Sequence, residues 1–125
     1  MQLDHDALSK HQTIQITTNG RKTGMPRRVE IWWFRVDDRF IITGTPGRRD
    51  WLANLDADPR LTVHVGGHDF EATATRVTDM SFRRKVFTRP QTSWYSSEAE
   101  LDHLVMAAPM VEIHFSDRTG NTITT

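Results

Sequence analysis

A turn rich in basic residues is the most chemically distinctive part of the sequence. It reads Asn19-Gly20-Arg21-Lys22-Thr23-Gly24-Met25-Pro26-Arg27-Arg28, with four cations in eight residues and no acid among them. Glycine allows a backbone to come close to a ligand, and Lys and Arg donate charge-assisted hydrogen bonds to phosphate oxygens. The residue types therefore predict an anion site, with a solvated basic turn as the alternative. A P-loop is not indicated, because the Gly-Lys-Ser/Thr ending and the helix that should follow it are missing.

A second turn combines glycine, arginine and the start of a helix. It reads Gly44-Thr45-Pro46-Gly47-Arg48-Arg49-Asp50-Trp51-Leu52-Ala53-Asn54-Leu55. The free backbone amides of a helix N-terminus, with Arg48 and Arg49 beside them, favour an anionic or hydrogen-bonding ligand. Trp51 is either the core anchor of this helix or part of a pocket, and Asn54, one turn later, points the same way or at solvent.

Metal and hydrolase sites receive little support. His64 and His68 flank the Gly66-Gly67 turn and can approach one another, but no third ligand of suitable spacing is present, so we expect no metal site. The absence of cysteine removes disulfides, thiolate zinc sites and cysteine nucleophiles. No Gly-x-Ser-x-Gly elbow is found, and scattered single residues do not define a Ser-His-Asp triad.

Six β-strands must position these turns. Runs rich in β-branched and aromatic residues, separated by turn dipeptides, place them at Thr13–Thr18, Arg28–Val36, Arg39–Thr45, Leu61–Val65, Asp69–Val77 and Met110–Phe115. Asp37-Asp38 and Gly66-Gly67 are predicted hairpin turns. The second strand is apolar on both faces, which predicts that a helix, a flat ligand or a second subunit covers its outer face.

Three short helices are predicted between the strands. The first covers Arg48–Ala57 and ends before Pro59. The second is capped by Asp79, carries an apolar stripe and ends before Pro90. The third begins with Ser97 and Glu100 at capping-box spacing and ends at Pro109. Hairpins with short helices over their openings predict a small antiparallel β-barrel of the α+β class, mainly β, with about six strands.

Length and charge limit the possible functions. The 125 residues correspond to one domain, 1–125, and 16 Lys and Arg balance 16 Asp and Glu. A strongly basic nucleic-acid binder is thereby disfavoured, although Arg beside aromatic residues on strands leaves single-stranded nucleic acid as a minor alternative. The apolar runs are far shorter than the ~20 residues that span a bilayer, so no membrane span is expected. The first residues lack an export pattern, which predicts a cytoplasmic protein.

Taken together, the two turns resemble the deazaflavin-dependent nitroreductase family. The resemblance covers roughly residues 12–78 and rests on Thr17-Thr18-Asn19-Gly20-Arg21-Lys22-Thr23-Gly24-x-Pro26-Arg27, the aromatic strand that follows, Trp51-Leu52-x-Asn54-Leu55-x-Ala57-x-Pro59 and a Val-x-Val-Gly-Gly strand end. That family is similar to the pyridoxamine 5'-phosphate oxidase-like FMN-binding proteins in having a split β-barrel. The resemblance therefore implies a split barrel here.

The resemblance also implies a cofactor and its ligands. The cofactor is coenzyme F420, a deazaflavin with a phosphate and a glutamyl tail, whose reduced ring gives hydride to an organic acceptor such as a quinone or a nitroaromatic compound. By the same resemblance, Lys22, Thr23 and Arg27 grip the phosphate. The ring pocket and its surroundings then include Trp32, Thr43, Thr45, Arg49, Trp51 and Asn54. Tyr95 is the candidate catalytic residue, because the family places tyrosines near the substrate in the later helical region.

Two departures and several alternatives accompany the resemblance. Glu30 stands where the family usually has Pro, and the loop Thr45–Asp50 is shorter than the family's glycine-rich loop. An FMN-binding relative is one alternative, because FMN also offers a planar ring and a phosphate. A binding protein that holds a cofactor, haem or lipid without catalysis is another. A homodimer is also expected, since split barrels commonly pair and the strand through Trp32 is apolar on both faces.

Overall fold

Six antiparallel strands close into a barrel in the computed structural model, which describes residues 13–90, 92, 95 and 100–116. The strands are β1 (Thr13–Asn19), β2 (Pro26–Val36), β3 (Arg39–Thr43), β4 (Arg60–Val65), β5 (His68–Arg76) and β6 (Met110–Phe115). Their order around the barrel is β1-β2-β3-β6-β5-β4, and β4 pairs with β1 to complete the ring. The predicted fold class, an antiparallel six-strand barrel with helices, is confirmed.

Strand boundaries follow the pairing partners. The ladder between β1 and β2 runs from Thr13 opposite Trp32 to Asn19 opposite Pro26, so both strands extend further than predicted. β3 was expected to continue to Thr45, but it ends at Thr43. The reason is that Thr43 pairs with Met110, which is the first residue of β6, and no strand lies beyond it to pair with.

Two tight hairpins confirm the predicted turns. Asp37 and Asp38 have φ values of 52° and 61°, and Gly66 and Gly67 have values of 59° and 77°. Two consecutive residues at positive φ form the turn that matches the right-handed twist of the flanking strands. Aspartate accepts this conformation more readily than most residues because its short side chain bonds locally.

The described residues form three helices: α1 (Asp50–Ala57), α2 (Met80–Phe87) and α3 (Leu101–Ala107). α2 is capped as predicted, because the Asp79 carboxylate accepts hydrogen bonds from the amides of Ser81 (2.9 Å) and Phe82 (3.4 Å). α1 begins at Asp50 rather than at Arg48, since Arg49 is extended and serves as the N-cap residue.

The predicted capping box of the third helix is wrong. Glu100 is itself the N-cap residue of α3 and makes no side-chain cap bond, and its carbonyl accepts the first helical hydrogen bond, from Leu104 at 2.9 Å. A capping box with Ser97 as the N-cap residue would make Glu100 the third residue of the helix. The helix instead begins at Leu101, directly after Glu100. Ser97 lies outside the described residues.

The two apolar faces of β2 belong to two different cores. Ile31 and Trp33 point into the barrel, where they join a cluster that includes Trp51 and Leu55 of α1. Phe34 and Val36 point outward into a second cluster, formed with residues of α2 and α3. A helical layer therefore covers the outer face over the second half of β2, whereas Trp32 on the same face is 39% exposed.

A buried arginine fastens the helical layer to the barrel. The guanidinium of Arg83, on α2, donates to the carbonyls of Val77 (2.8 Å), Val105 (2.6 Å) and Ala108. Two of these acceptors lie at the end of α3, where carbonyls have no partner within the helix. Burial lowers the pKa of Arg83 from its ordinary value.

Candidate functional site

The loop between β1 and β2 holds its shape through its own backbone. The Gly20 amide donates to the Met25 carbonyl (2.8 Å), the Gly24 amide to the Gly20 carbonyl (2.7 Å), and the Met25 amide to Thr23 Oγ1 (3.2 Å). A Cβ on Gly20 would lie 2.9 Å from the Met25 carbonyl oxygen, and Gly24 has a φ of +71°. The close approach that needs glycine at position 20 is thus to the loop itself.

An open pocket of about 560 Å³ lies between this loop and α1. Its lining contains five of the predicted cofactor-binding residues, namely Lys22, Thr23, Arg27, Trp51 and Asn54. The remaining lining residues are Thr18, Gly20, Arg21, Pro26, Arg28, Val29 and Asp50. The structure therefore brings the basic turn and the Trp-x-x-Asn helix together at one place, as the resemblance implied.

The four cations of the basic turn differ in their partners. The Arg21 guanidinium donates to Asn54 Oδ1 (2.9 Å) and to Asp50 Oδ1 (3.3 Å), and Arg28 Nε donates to Gln15 Oε1 (2.5 Å). Within the part of the chain that the structure describes, no carboxylate pairs with Lys22 or Arg27. The pocket therefore offers two exposed cations that the protein itself does not neutralise.

Asn54 is buried at the back of the pocket and uses both ends of its amide. Its Oδ1 accepts from the backbone amide of Arg21 at 3.1 Å as well as from the Arg21 guanidinium, and its Nδ2 donates to Thr18 Oγ1 at 3.1 Å. The side chain thus connects α1 to the end of β1 and to the loop. A Ser, Thr or Asn buried in this way needs such partners, because an unpaired polar group costs free energy away from water.

Trp51 combines the two interpretations that the sequence left open. It is only 8% exposed and packs with the barrel core, and it also lines the pocket. Together with Leu55, it belongs to the core cluster inside the barrel, and part of its side chain lines the pocket. An aromatic ring at this position suits a ligand that has a planar ring of its own.

Four of the other predicted site residues gather at the end of β3, outside the pocket lining: Thr43, Thr45, Arg49 and Tyr95. The fifth, Trp32, lies on the outer face of β2, also outside the pocket lining, and is 39% exposed. Thr43 Oγ1 donates to the Pro109 carbonyl (2.6 Å), and Arg49 Nη2 donates to the carbonyl and the hydroxyl of Thr45 (2.9 Å each). Tyr95 donates its hydroxyl to the Thr43 carbonyl at 3.4 Å. These polar groups bond to one another and to the backbone, and their assignment to the cofactor site is untested.

Tyr95 lies in the outer core. Its ring makes edge contacts with Phe34 and Phe87, and the side chain is 1% exposed. Burial raises the pKa of Tyr95 to about 12, so the hydroxyl is protonated at neutral pH. Its position does not bring it to the pocket, and the catalytic assignment stays a prediction.

The histidine pair at the β4–β5 hairpin has a different arrangement from the one expected. His64 does not turn toward His68; its Nδ1 lies 2.6 Å from Asp69 Oδ1 and its Nε2 lies 2.6 Å from Thr17 Oγ1. The hydrogen bond with His64 lowers the pKa of Asp69. The imidazole thereby connects β1 with β4 and β5. No group of three metal-ligating side chains is found among the residues described.

Several lining residues were missed by the sequence argument. Thr18, Val29 and Asp50 were not proposed as site residues, yet they line the pocket. The strand register is the signal that would have found two of them, because Asn19 pairs with Pro26 and inward-facing residues alternate from that point along each strand. Glu30, the residue that departs from the family pattern, lies opposite Gln15 and is not part of the lining.

Comparison with known proteins identifies the family of the chain. The profile of the F420H(2)-dependent quinone reductase family matches residues 5–103. The chain belongs to this family. An F420H(2)-dependent quinone reductase of Mycobacterium tuberculosis strain H37Rv is 32% identical over 69 residues, which cover 52% of this chain and 46% of that protein. The chain thus matches about half the length of its curated relatives. The predicted relationship to F420-dependent reductases is confirmed, and F420, the predicted cofactor, is the one that the family implies.

Solved structures support the fold. An F420-H2-dependent reductase, FDR-A, aligns with a TM-score of 0.61 at 18% identity over 82% of this chain and 94% of that one. A protein of Listeria innocua assigned as a pyridoxamine 5'-phosphate oxidase aligns with a TM-score of 0.68 at 12% identity over 90% of each chain. At these identities the likeness concerns the split barrel alone. No helix in the described residues is long and apolar enough to cross a membrane.

Proposed function

We propose that this protein is an oxidoreductase that uses reduced F420 to reduce a quinone. The observation that carries the proposal is the pocket beside the β1–β2 loop, where Lys22 and Arg27 stand next to a glycine-stabilised turn without carboxylate partners in the described residues. Membership in the F420H(2)-dependent quinone reductase family supports the cofactor and the acceptor class.

The chemistry of the pocket fits the cofactor. F420 carries a phosphate and a glutamyl tail, which are anions, and its deazaflavin ring is flat. Lys22 and Arg27 offer charge to the anions, and Thr23 adds a hydroxyl at the loop tip. Trp51 offers a flat wall for the ring. When bound, F420 supplies the hydride, and the protein orients the ring, holds its anions and limits access of water.

The finer parts of the function are proposals of the same kind. A nitroaromatic acceptor is a second candidate because the pocket is open and its volume of about 560 Å³ does not single out one ring system. A cytoplasmic location is proposed from the sequence. A homodimer is proposed because Trp32, a large apolar side chain, is exposed on the outer face of β2. FMN is the alternative cofactor, since it also combines a phosphate with a planar ring.

The test is a titration of the protein with F420 and, separately, with FMN, followed by tryptophan fluorescence. Because Trp51 lines the pocket, we expect saturable quenching by F420 that is largely lost in Trp51→Phe and retained in the matched variant Trp33→Phe, whose ring lies in the barrel core. Turnover is then measured with reduced F420 and a quinone. A folded protein that shows no saturable quenching by F420 contradicts the proposal, and tighter binding of FMN selects the alternative.

A further inference from the structure

We infer that Asn54 and Arg21 are positioning residues: they fix the β1–β2 loop so that its tip can bind an anion, and they do not bind the anion themselves. The inference rests on the proposed function for the name of the ligand. The structural basis of the inference does not depend on the proposed function, because the hydrogen bonds concerned lie within the protein. It also reassigns Asn54, which the family resemblance placed among the cofactor ligands.

The hydrogen-bonding capacity of Asn54 is nearly exhausted. An amide oxygen has two lone pairs, and the Asn54 Oδ1 accepts both the backbone N–H of Arg21 and the Arg21 guanidinium. One N–H of its Nδ2 donates to Thr18 Oγ1. The side chain is 2% exposed. A ligand phosphate accepts hydrogen bonds, and the only remaining donor on Asn54 is one buried N–H.

Arg21 is committed to the same contact. Its Nη1 donates to Asn54 and its Nη2 donates to Asp50 on the first turn of α1. The Asp50 carboxylate also compensates part of its charge. Although Arg21 lines the pocket beside Lys22, both of its terminal guanidinium nitrogens donate to residues of α1. The run of basic residues therefore contains cations of two kinds, those tied to the protein and those open to a ligand.

These bonds decide which amides of the loop face outward. The amides of Gly20, Arg21, Gly24 and Met25 all donate to acceptors within the protein. Among the described residues, no acceptor is found for the amides of Lys22 and Thr23 at the loop tip. Two adjacent amides that have no acceptor within the described residues can donate to an anion. Asn54 holds the N-terminal side of this tip through Arg21.

The experiment compares hydrogen exchange with binding. In the ligand-free protein, Asn54→Ala should accelerate amide exchange at residues 20–25 while leaving the β4–β5 ladder unchanged. It should weaken F420 binding by about tenfold without changing how the affinity depends on salt, because no ligand charge loses its partner. Lys22→Gln is the matched control. It should leave loop exchange unchanged and weaken binding with a shallower dependence on salt.

Two further variants make the result decisive. Asn54→Asp keeps an acceptor for Arg21 and should restore slow exchange in the loop. Arg21→Met keeps the backbone bond to Asn54 and should accelerate loop exchange less than Asn54→Ala does. The losses of affinity in Arg21→Met and Asn54→Ala should not add in the double variant.

Unchanged loop exchange in folded Asn54→Ala overturns the inference, as does a salt dependence that becomes shallower in Arg21→Met. If Asn54→Ala does not fold, the exchange and salt dependence of Arg21→Met decide alone. If the unmodified protein binds no F420, the exchange data still test the positioning role, whereas the proposed function fails. The two ideas therefore fail separately.

Discussion

The β1–β2 loop and the end of β3 contain similar residues but use them differently. Both combine threonine and arginine with a glycine turn. In the loop pocket, Lys22 and Arg27 have no carboxylate partner in the described residues. At the end of β3, the side chains of Thr43 and Arg49 donate to backbone and hydroxyl acceptors nearby. What distinguishes a binding site is therefore unused hydrogen-bonding capacity, not the residue types alone.

The surroundings explain the difference. The end of β3 is covered by the outer core, in which Tyr95 and Met110 are nearly inaccessible. The hydroxyl of the buried Thr43 must find a partner in the protein, because water cannot reach it, whereas the half-buried Thr45 and Arg49 bond to one another. The loop lies at an exposed end of the barrel, where a cation can stay hydrated until a ligand replaces the water. Burial thus makes Thr43 a structural connection, mutual hydrogen bonds do the same for Thr45 and Arg49, and the exposed cations of the loop stay available.

Removal of the Arg83 guanidinium, which donates to three buried carbonyls, should have the largest effect on stability. Arg83→Met keeps most of the side-chain volume but leaves three buried carbonyls without their donor. We expect a loss of ~3–5 kcal/mol in the free energy of unfolding, measured by urea denaturation. The neighbouring Arg84→Met is the control, because Arg84 forms an exposed pair with Asp102 and should cost less than ~0.5 kcal/mol. Equal losses of stability in the two variants would contradict the expected difference between a buried, fully bonded arginine and an exposed one.

Arginines from the two regions should separate binding from stability. Arg27→Gln should weaken F420 binding by ~1.5–3 kcal/mol, the value of a hydrogen bond to a charged group, with little change in stability. Arg49→Gln should do the reverse and lower the unfolding free energy by ~1 kcal/mol, because it loses the contacts with Thr45. Calorimetric titration and urea denaturation measure the two quantities. A large loss of affinity in Arg49→Gln would return that residue to the cofactor site.

A buried hydroxyl at the end of β3 provides a smaller test. Thr43→Val is isosteric but leaves the Pro109 carbonyl without its 2.6 Å donor. We expect a loss of ~1–2 kcal/mol in the unfolding free energy and no change in F420 affinity. Thr43→Ser retains the hydroxyl and should recover most of the loss. If Thr43→Val instead weakens binding selectively, the end of β3 takes part in the site after all.

The effect that is smallest at neutral pH concerns ionisation of the single tyrosine of the chain. Because the folded pKa of Tyr95 is about 12 and the ordinary value is 10.0, its contribution to stability is complete below pH 10 and is lost as the pH rises toward 12. In the native protein, phenolate absorbance should emerge only near pH 12, whereas in denaturant it should emerge near pH 10. Tyr95→Phe should reduce the alkaline loss of stability. Phenolate formation near pH 10 in the folded protein would show that the ring is accessible.

The sequence allows the fold to be predicted well because its signals are local. Asp37-Asp38 and Gly66-Gly67 specify their turns by backbone preference, and Asp79 specifies the start of α2 through its own side chain. The capping box at Ser97 and Glu100 failed because spacing alone does not decide which carbonyl starts the helix. Local sequence patterns are therefore sufficient to predict the helices and strands, but they predict the first and last residues of these elements less well.

The site was predictable only in part, for a related reason. Lys22, Arg27 and Trp51 follow from a motif that the family shares and from residue chemistry, and the structure brings them to one pocket. That Asn54 is occupied by Arg21, 33 positions earlier, depends on the packing of α1 against the loop. The burial of Tyr95 likewise depends on contacts with β2 and α2. Neither relation is visible in a local pattern.

Closure of the barrel also has a consequence for how the chain folds. β6 lies between β3 and β5 in the ring, and the contact between Arg39 and Glu112 joins residues that are 73 positions apart. Pairings of such long separation form slowly, because chain entropy is lost before the contacts stabilise the structure. During synthesis, the edges of β3 and β5 stay open until β6 has left the ribosome. The nascent chain therefore exposes two unpaired strand edges at its most aggregation-prone stage, and the pairing of β6 removes both at once.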